Sequence, residues 1–499
     1  MTPGAEMELH WHDYRYFPYE KELAAREASA LLRDAKFTHV NGKIVFSGEC
    51  EEELLRRLVY FSSAVSNKGQ IRTVQRELEE AAGNGHKRQS TRYSVHGLHE
   101  YKGKFNPQVV RALLNILGLK SGDCLLDPFC GSGTTLVECA HLGISSLGLD
   151  LNPLAVYITN AKLLALSIGA ERLGTAVDRV VRAAQRKRQL CNGSDERQRY
   201  LRSWFSNDIL DSIENLRATI IDECPDEASI LLTIASNLLR DYSLQDPNDL
   251  RIRRRSSPLP GEPFNCAFEK AALNTIERLR QTLRVLGMLT VSGKARPLDI
   301  CTLPNSKIVD QQFDGAITSP PYATALPYID TQRLSLVWLN LVRPDEILAL
   351  DAMLIGSREI RGGRRQVLRD ALDMNAAKLP PKEIQFCLKL QNGLGPKDGF
   401  RRQATPVLLY RYFDFMAQAF KAIRGIIKKH APFALIVGSN HTVLNGKRFD
   451  IETPSHLVNL ALAQGWSLEE CLPLQTYHRY GYHVSNAVRT ETLILLRNT

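Results

Sequence analysis

The chain has 499 residues, with 64 Lys and Arg against 54 Asp and Glu, a net charge of +10 and a pI near 9.0. With 44% hydrophobic and 24% charged residues, this is the composition of a folded protein of two or three domains, which excludes wholesale disorder. Ten scattered cysteines form no CxxC pair or Cys/His array, so neither a disulfide scaffold nor a metal site is expected, and without an apolar run of ~18 residues or a basic-then-apolar leader the chain is expected to be cytoplasmic.

In chain order, residues 1–90 read as a helical extension with a short hairpin. Lys21–Leu32 has helical periodicity, Lys36–Gly48 reads as two strands about Asn41-Gly42, and Glu51–Val65 reads as helical again. Residues 91–165 begin an alternating pattern. Pro107–Leu114 opens a helix with proline in its first turn, and Asp123–Leu126 and Ser145–Leu149 are short apolar strands. Residues 166–292 read as a helical insertion with a polar linker over 246–263. Residues 293–340 contain a third strand, Phe313–Thr318, and 341–404 form a polar, basic insertion that is a candidate for target recognition. Residues 405–499 close the sheet with strands over Pro432–Gly438 and Glu491–Asn498. The fold class is α/β, an open, mostly parallel, Rossmann-like sheet with two insertions. The smaller insertion carries 12 Lys and Arg against 8 Asp and Glu, and the helical one 19 against 17. Charge therefore weakly favours the smaller as a nucleic-acid contact, while Arg253-Arg254-Arg255 reads as a solvated face ahead of a phosphate contact and Arg364-Arg365 as a solvated face at least as readily.

The segment Leu125-Leu126-Asp127-Pro128-Phe129-Cys130-Gly131-Ser132-Gly133-Thr134-Thr135 follows a strand and opens a helix. Its glycines let backbone N–H groups approach a ligand at a helix N-terminus. Asp150 stands nineteen residues after Gly131, in Gly148-Leu149-Asp150-Leu151-Asn152-Pro153. That is the spacing at which an acid takes ribose hydroxyls in Rossmann-like folds. The loop is neither G-x-G-x-x-G nor G-x-x-x-x-G-K-[ST], which argues against a dinucleotide and a nucleoside triphosphate. A leading Asp127 suits a ligand with an ammonium group, as S-adenosylmethionine has. The plain alternative is a strand–helix turn with no ligand.

After the third strand comes Ser319-Pro320-Pro321-Tyr322. Two prolines fix a backbone without N–H donors and leave carbonyl oxygens for a donor amine. Ser319 adds a hydroxyl and Tyr322 a flat stacking face. A Pro-Pro turn capping a strand is the plain alternative. The tetrapeptide nevertheless follows the strand end where an open α/β sheet binds ligands.

Together, Asp127–Thr135, Gly148–Pro153 and Thr318–Tyr322, in that order, resemble the amino-directed DNA methyltransferases, which methylate cytosine N4 or adenine N6. The resemblance spans about 93–165 and 293–340, is looser over 405–499, and leaves out both insertions. His99–Pro107 resembles that family's segment before the glycine loop, and Leu298–Pro304 its third motif. The resemblance implies a class I methyltransferase sheet in unpermuted motif order, with S-adenosylmethionine as cofactor. On it, Asp127, Pro128, Phe129, Gly131, Ser132, Gly133 and Thr134 would form the cofactor floor. Asp150 would hold the ribose, Asp299 the adenine, and Lys104 with Phe105 the methionine side, with Asn152 also among the cofactor-binding residues. Ser319, Pro320, Pro321 and Tyr322 would hold the target base.

An exocyclic aromatic amine is a poor nucleophile because its lone pair is delocalised into the ring. Acceptance of its hydrogens by Ser319 and the Pro320 carbonyl would localise that pair, once the base has left the duplex to stack on Tyr322. C5 chemistry is disfavoured, since its cysteine nucleophile follows a proline and only Cys224-Pro225, in reverse order, occurs here. In the family resembled, SPPY is commoner among cytosine-N4 enzymes and DPPY or NPPY among adenine ones. The reading is thus a cytosine-N4 DNA methyltransferase of restriction–modification, with double-stranded DNA and a separate nuclease as partners. Adenine N6, RNA guanine N2 and a non-catalytic nucleic-acid-binding subunit stand as alternatives. Tyr328, Asp330 and Arg333 are candidates for positioning, and His478, Tyr480 and His483 for lining a DNA cleft.

Overall fold

The computed structural model describes residues 6–40, 43–48, 50–67, 69–81, 89–185, 195–305, 312–323, 329–360, 363–475 and 490–499. Tyr328, His478, Tyr480 and His483 lie outside the described residues.

The amino-terminal segment differs from the helical extension expected over 1–90. Strands β1 (Met7–Trp11), β2 (Lys36–Val40), β3 (Lys43–Ser47), β4 (Phe61–Ser66) and β5 (Gly69–Arg72) pair antiparallel in the order β2-β3-β1-β4-β5. The β2–β3 pair is the expected hairpin, and the helix Pro18–Leu31 is also as read. The helix expected over 51–65 stops at Arg57. Leu58, Val59, Tyr60 and Phe61 are all fully buried, which one face of a helix cannot achieve but an extended chain between two layers can. His12 Nε2 lies 3.0 Å from the Val59 carbonyl and the Tyr16 hydroxyl donates to the Tyr60 carbonyl at 2.7 Å, so long-range partners fix this stretch.

The second sheet comprises β6 (Cys124–Asp127), β7 (Ser145–Leu149), β8 (Gly293–Arg296), β9 (Gly315–Thr318), β10 (Pro432–Gly438), β13 (Trp466–Gln475) and β14 (Thr490–Asn498). Its order is β13-β14-β10-β9-β6-β7-β8, with the hairpin β11 (Asn440–Leu444) and β12 (Lys447–Ile451) standing apart. The pairs β6–β7, β7–β8, β6–β9 and β9–β10 are parallel, and β14 runs antiparallel to both β10 and β13. The chain winds outward from β6 through β7 to β8, then returns to the other side of β6 as β9. The carboxyl ends of β6 and β9 therefore flank the crevice at a topological switch point. Along β10 the period of two is plain: Phe433, Leu435 and Val437 enter one core, while Ala434 and Ile436 enter another shared with the amino-terminal sheet. Both faces are covered, which is why these strands read as continuous apolar runs.

The expected strands at β6, β7, β9, β10 and β14 are present. Strand β8 was not expected, because Gly293-Lys294-Ala295-Arg296 buries only Ala295 and has no apolar run. Also unexpected is the β11–β12 hairpin, although its Asn445-Gly446 turn, with φ of 47° and 75°, carries the strongest short hairpin signal. The helix Pro153–Ala184 crosses the expected boundary at 165 and breaks at Gly169, with φ 80° and ψ 172°. It is long and apolar enough to cross a membrane, but 67% of that apolar window is buried in this core, packed against the helices Asn207–Glu223, Ala228–Leu238 and Phe264–Leu286. The smaller insertion is itself helical, over Ile347–Met353, Arg364–Asp373 and Pro381–Asn392.

Candidate active site

The glycine loop is held open from behind by the helix Pro153–Ala184. Gly131 and Gly133 have φ of 49° and 77°, a conformation costly for side-chain-bearing residues. A Cβ on Gly133 would lie 2.4 Å from Thr159 Cγ2. Thr159 Oγ1 donates to the Gly131 carbonyl at 3.0 Å and the fully buried Lys162 Nζ to the Ser132 carbonyl at 2.7 Å. With these carbonyls tied back, the loop meets the crevice at the start of the helix Thr134–His141, where backbone N–H groups have no helical partners.

Asp150, at the end of β7, accepts from Gly131 N at 3.0 Å and from Asn152 N at 2.8 Å. Burial pushes its carboxyl up to about 6. Asn152 caps the next helix through Leu154 N at 3.1 Å and donates to Gln332 Oε1. One cleft, with about 740 Å³ of empty space including its open mouth, brings together Pro128, Phe129, Gly131, Asp150, Asn152, Asp299, Ser319 and Pro321.

Other expected residues lie outside that lining. Asp127 is 3% exposed, beneath the loop. Its Oδ1 accepts the Thr318 hydroxyl at 2.7 Å and Phe129 N at 3.2 Å, and burial raises its carboxyl to about 6. It ties the glycine loop to β9. Ser132 and Thr134 are also buried, and the Ser132 hydroxyl has no hydrogen-bond partner among the described residues. Lys104 donates to the carbonyls of Thr91 at 2.8 Å and His96 at 3.1 Å. Those bonds hold its ammonium out of the cleft, and burial lowers it to about 8. Phe105 packs into the core shared with the amino-terminal sheet. The residues just before them, Tyr101, Lys102 and Gly103, take the cleft wall.

The Ser319–Tyr322 turn is clamped from two sides. Gly356, at φ 81°, approaches so closely that a Cβ would lie 2.5 Å from the Tyr322 carbonyl oxygen. Asn440 Nδ2 donates to the Ala323 carbonyl at 2.9 Å, and the Tyr322 hydroxyl donates to Glu491 at 2.6 Å. Pro320 is buried. Leu354 and Ile355, from the smaller insertion, complete the cleft beside Leu298 and Ile300. No local signal announces Leu354 and Ile355, whereas Leu298 and Ile300 flank Asp299 in the segment read from the sequence. Tyr101 and Lys102 lie within the segment His99–Pro107 read from the sequence, in which Lys104 and Phe105 are the residues named for the cofactor.

Behind the loop lies a buried polar knot. Glu138 accepts from Tyr93 Oη at 2.8 Å and Arg111 Nε at 2.6 Å, and lies 2.6 Å from His96 Nε2. His141 contacts Arg111 at 3.0 Å and Ser94 at 2.9 Å. His96, Glu138 and His141 have donor atoms within 4.8 Å of one another, but the Arg111 guanidinium already supplies the positive charge there. The knot anchors the segment before Tyr101 to the back of the helix Thr134–His141.

A seven-stranded sheet of this order with β14 inserted antiparallel, a glycine loop after β6 and an acid at the end of β7 define a Rossmann-like class I methyltransferase fold. Residues 98–215 match the family model described as UPF0020: RMKL-like, methyltransferase domain. The chain is 27% identical over 276 residues to the Type II methyltransferase M.BsoBI of Geobacillus stearothermophilus, covering 50% of this chain and 53% of that protein. It is 25% identical over 290 residues to the Type II methyltransferase M.MvaI of Kocuria varians, covering 54% and 63%. A shorter match, 40% over 52 residues, is to a tRNA (guanine(10)-N2)-dimethyltransferase of Methanothermobacter thermautotrophicus and covers 10% of this chain and 16% of that protein. The chain thus spans little more than half the length of the Type II relatives.

Proposed function

We propose that this protein is a DNA methyltransferase that uses S-adenosylmethionine to methylate the exocyclic N4 amine of cytosine, within restriction–modification. The observation that carries this reading is the convergence of Ser319 and Pro321 with the glycine loop, Asp150 and Asp299 in one cleft. The two Type II relatives, matched over 276 and 290 residues, support DNA as the substrate.

The residues present fit the cofactor. Asp150 and Asp299 are acids on the cleft wall, Phe129 and Tyr101 are aromatic walls, and the Ser132 hydroxyl is a buried polar atom without a partner among the described residues. When bound, S-adenosylmethionine supplies an electrophilic methyl on a sulfonium leaving group. The chain's own residues hold the base. The Ser319 hydroxyl and the Pro320 carbonyl accept the amine hydrogens and localise its lone pair, and the Tyr322 ring stacks on the extruded base. Glu491 orients that ring through the hydroxyl bond. Buried Asp127, bonded to Thr318, couples the cofactor loop to the turn that carries Ser319.

A second reading, RNA guanine-N2 methylation, draws on the 52-residue match to the tRNA enzyme. Nucleoside mass spectrometry of DNA and of tRNA, each incubated with the protein and S-adenosylmethionine, tests both. N4-methylcytosine is expected from the wild type, with the rate reduced about 10²- to 10³-fold in Ser319→Ala. N6-methyladenine would refute the choice of base, and methylation of tRNA alone would refute DNA.

A further inference from the structure

Residues 330–338, which follow the Ser319–Tyr322 turn, are gripped by the helical insertion at several points. Gln245 Nε2 donates to the Asp330 carbonyl at 3.0 Å, and Arg197 donates to the carbonyls of Val337 at 3.2 Å and Trp338 at 2.8 Å. The Arg197 guanidinium is itself fixed by two bonds of 2.8 Å to Glu214. Arg333 donates to the Tyr200 hydroxyl and lies 5.1 Å from the Trp204 ring, and Ser335 Oγ donates to the Ser236 carbonyl at 3.5 Å. The insertion also reaches the other wall of the cleft. Ser236 Oγ lies 3.3 Å from His99 Nε2, and Asn237 Oδ1 accepts from Glu100 N at 2.7 Å, one residue before Tyr101.

From this braced segment one side chain reaches the back of the cleft. Gln332 is buried, and its Oε1 accepts from Asn152 Nδ2. The helix cap fixes the orientation of both amides. Leu154 N is a donor, so the Asn152 atom it meets at 3.1 Å is the oxygen. The Asn152 nitrogen therefore faces Gln332, which must answer with its own oxygen. Gln332 Nε2 is thereby turned away, buried and without a hydrogen-bond partner among the described residues. An unpaired buried donor is costly, and an apolar side chain of similar length would avoid that cost. The bond to Asn152 is thus what a glutamine supplies here. Asn152 stands on the cleft lining, and its backbone N–H donates to Asp150 Oδ1 at 2.8 Å. The other neighbour of its amide, the Tyr101 hydroxyl, lies 3.5 Å away, too long a contact to replace Gln332.

We propose that Gln332 is a positioning residue for the cofactor end of the cleft, acting through Asn152, and that the helical insertion is the brace that holds it there. This rests on the reading of the cleft as the S-adenosylmethionine site and assigns the helical insertion a role at that site. Without Gln332, Asn152 Nδ2 is a buried donor with no acceptor at normal distance. Its side chain turns to find one, gives up the cap on the helix Pro153–Ala184 and disturbs the N–H that steadies Asp150. The insertion matters because one hydrogen bond orients its partner only when its own backbone is fixed. Here that backbone is fixed on both sides of Gln332, at Asp330 by Gln245 and at Val337 and Trp338 by Arg197.

The test is calorimetric titration of the full chain with S-adenosylmethionine. Gln332→Met, close in volume but without an acceptor, is expected to weaken affinity about tenfold. Gln332→Glu, which keeps an oxygen facing Asn152, should recover most of that loss. In an Asn152→Ala background Gln332→Met should change affinity no further, because its partner is gone. Gln245→Leu frees the Asp330 carbonyl without altering any residue bonded to Asn152, and it carries the same test should Gln332→Met not fold. It should lower affinity in the same direction and likewise have no effect in Asn152→Ala. Equal losses in the two backgrounds would reduce Gln332 to a packing residue and overturn the proposal, as would wild-type affinity in Gln332→Met. Wild-type affinity in Gln245→Leu would remove the insertion as the brace. In each of these cases binding by the wild type leaves the cofactor reading standing. A wild type that binds no S-adenosylmethionine would overturn that reading and the positioning role with it.

Discussion

Replacing Gly133 with alanine probes the glycine loop directly. At φ 77° the new side chain sits in the left-handed region, and its Cβ would lie 2.4, 2.6 and 2.9 Å from Thr159 Cγ2, Oγ1 and Cβ. Thr159 cannot simply rotate away. Its Oγ1 lies 3.0 Å from the Gly131 carbonyl and 2.9 Å from the Ala155 carbonyl, so rotation gives up the hydroxyl's bond to the loop. Left-handed strain contributes about 1 kcal/mol and overpacking about 1–3 kcal/mol, so the loop should lose about 2–4 kcal/mol of local stability. At 1.4 kcal/mol per tenfold, that is roughly 30- to several-hundred-fold more frequent opening. Amide hydrogen exchange over 127–141 reads this more directly than global denaturation, which is not two-state in a chain of this size. Thr159→Ala removes the two closest atoms and leaves only the 2.9 Å contact, so the double variant should recover at least half of the lost protection. Wild-type exchange in Gly133→Ala alone would refute this account of the loop.

Asp150→Ala leaves Gly131 N and Asn152 N without their acceptor and removes the acid assigned to the ribose. Calorimetric affinity for S-adenosylmethionine should fall at least tenfold, and an unchanged affinity would remove Asp150 from the site. Glu138→Gln strips the counter-charge from Arg111, whose Nε lies 2.6 Å away with both side chains buried. Loss of a buried partner typically costs about 3–5 kcal/mol, so a marked drop in melting temperature is expected, and wild-type melting would show that the knot is dispensable. The Asp127 carboxyl, raised by burial from 3.8 to about 6, favours its neutral form in the fold. Its contribution is full below pH 3.8 and is lost as pH rises through 6, about 3 kcal/mol in all. Asp127→Asn should therefore gain stability relative to the wild type between pH 4 and 6, and parallel pH profiles would contradict the burial of that charge.

The parts of the site legible in the sequence are those whose chemistry is local. Positive φ at Gly131 and Gly133, the missing N–H groups of Pro320 and Pro321, and an acid at the end of β7 follow from residue type and spacing, so the loop, Asp150 and the Ser319–Tyr322 turn could be read directly. The same holds for strands buried on both faces, whose apolar runs announce themselves at β6, β9 and β10. Strand β8 has no such run, and β4 continues an apparently helical stretch. Both exist because of neighbours contributed by distant residues. Which side chains enter the cleft was likewise settled by tertiary contacts. Lys104 is drawn to the Thr91 and His96 carbonyls and Asp127 to Thr318, while Leu354 and Ile355 arrive from an insertion whose sequence resembles nothing at the site. By itself the sequence determined a glycine loop and a proline-fixed turn on an α/β sheet, since backbone geometry and hydrogen-bonding capacity belong to each residue. Only the tertiary structure decided the cleft walls, because burial arises between residues far apart in the chain.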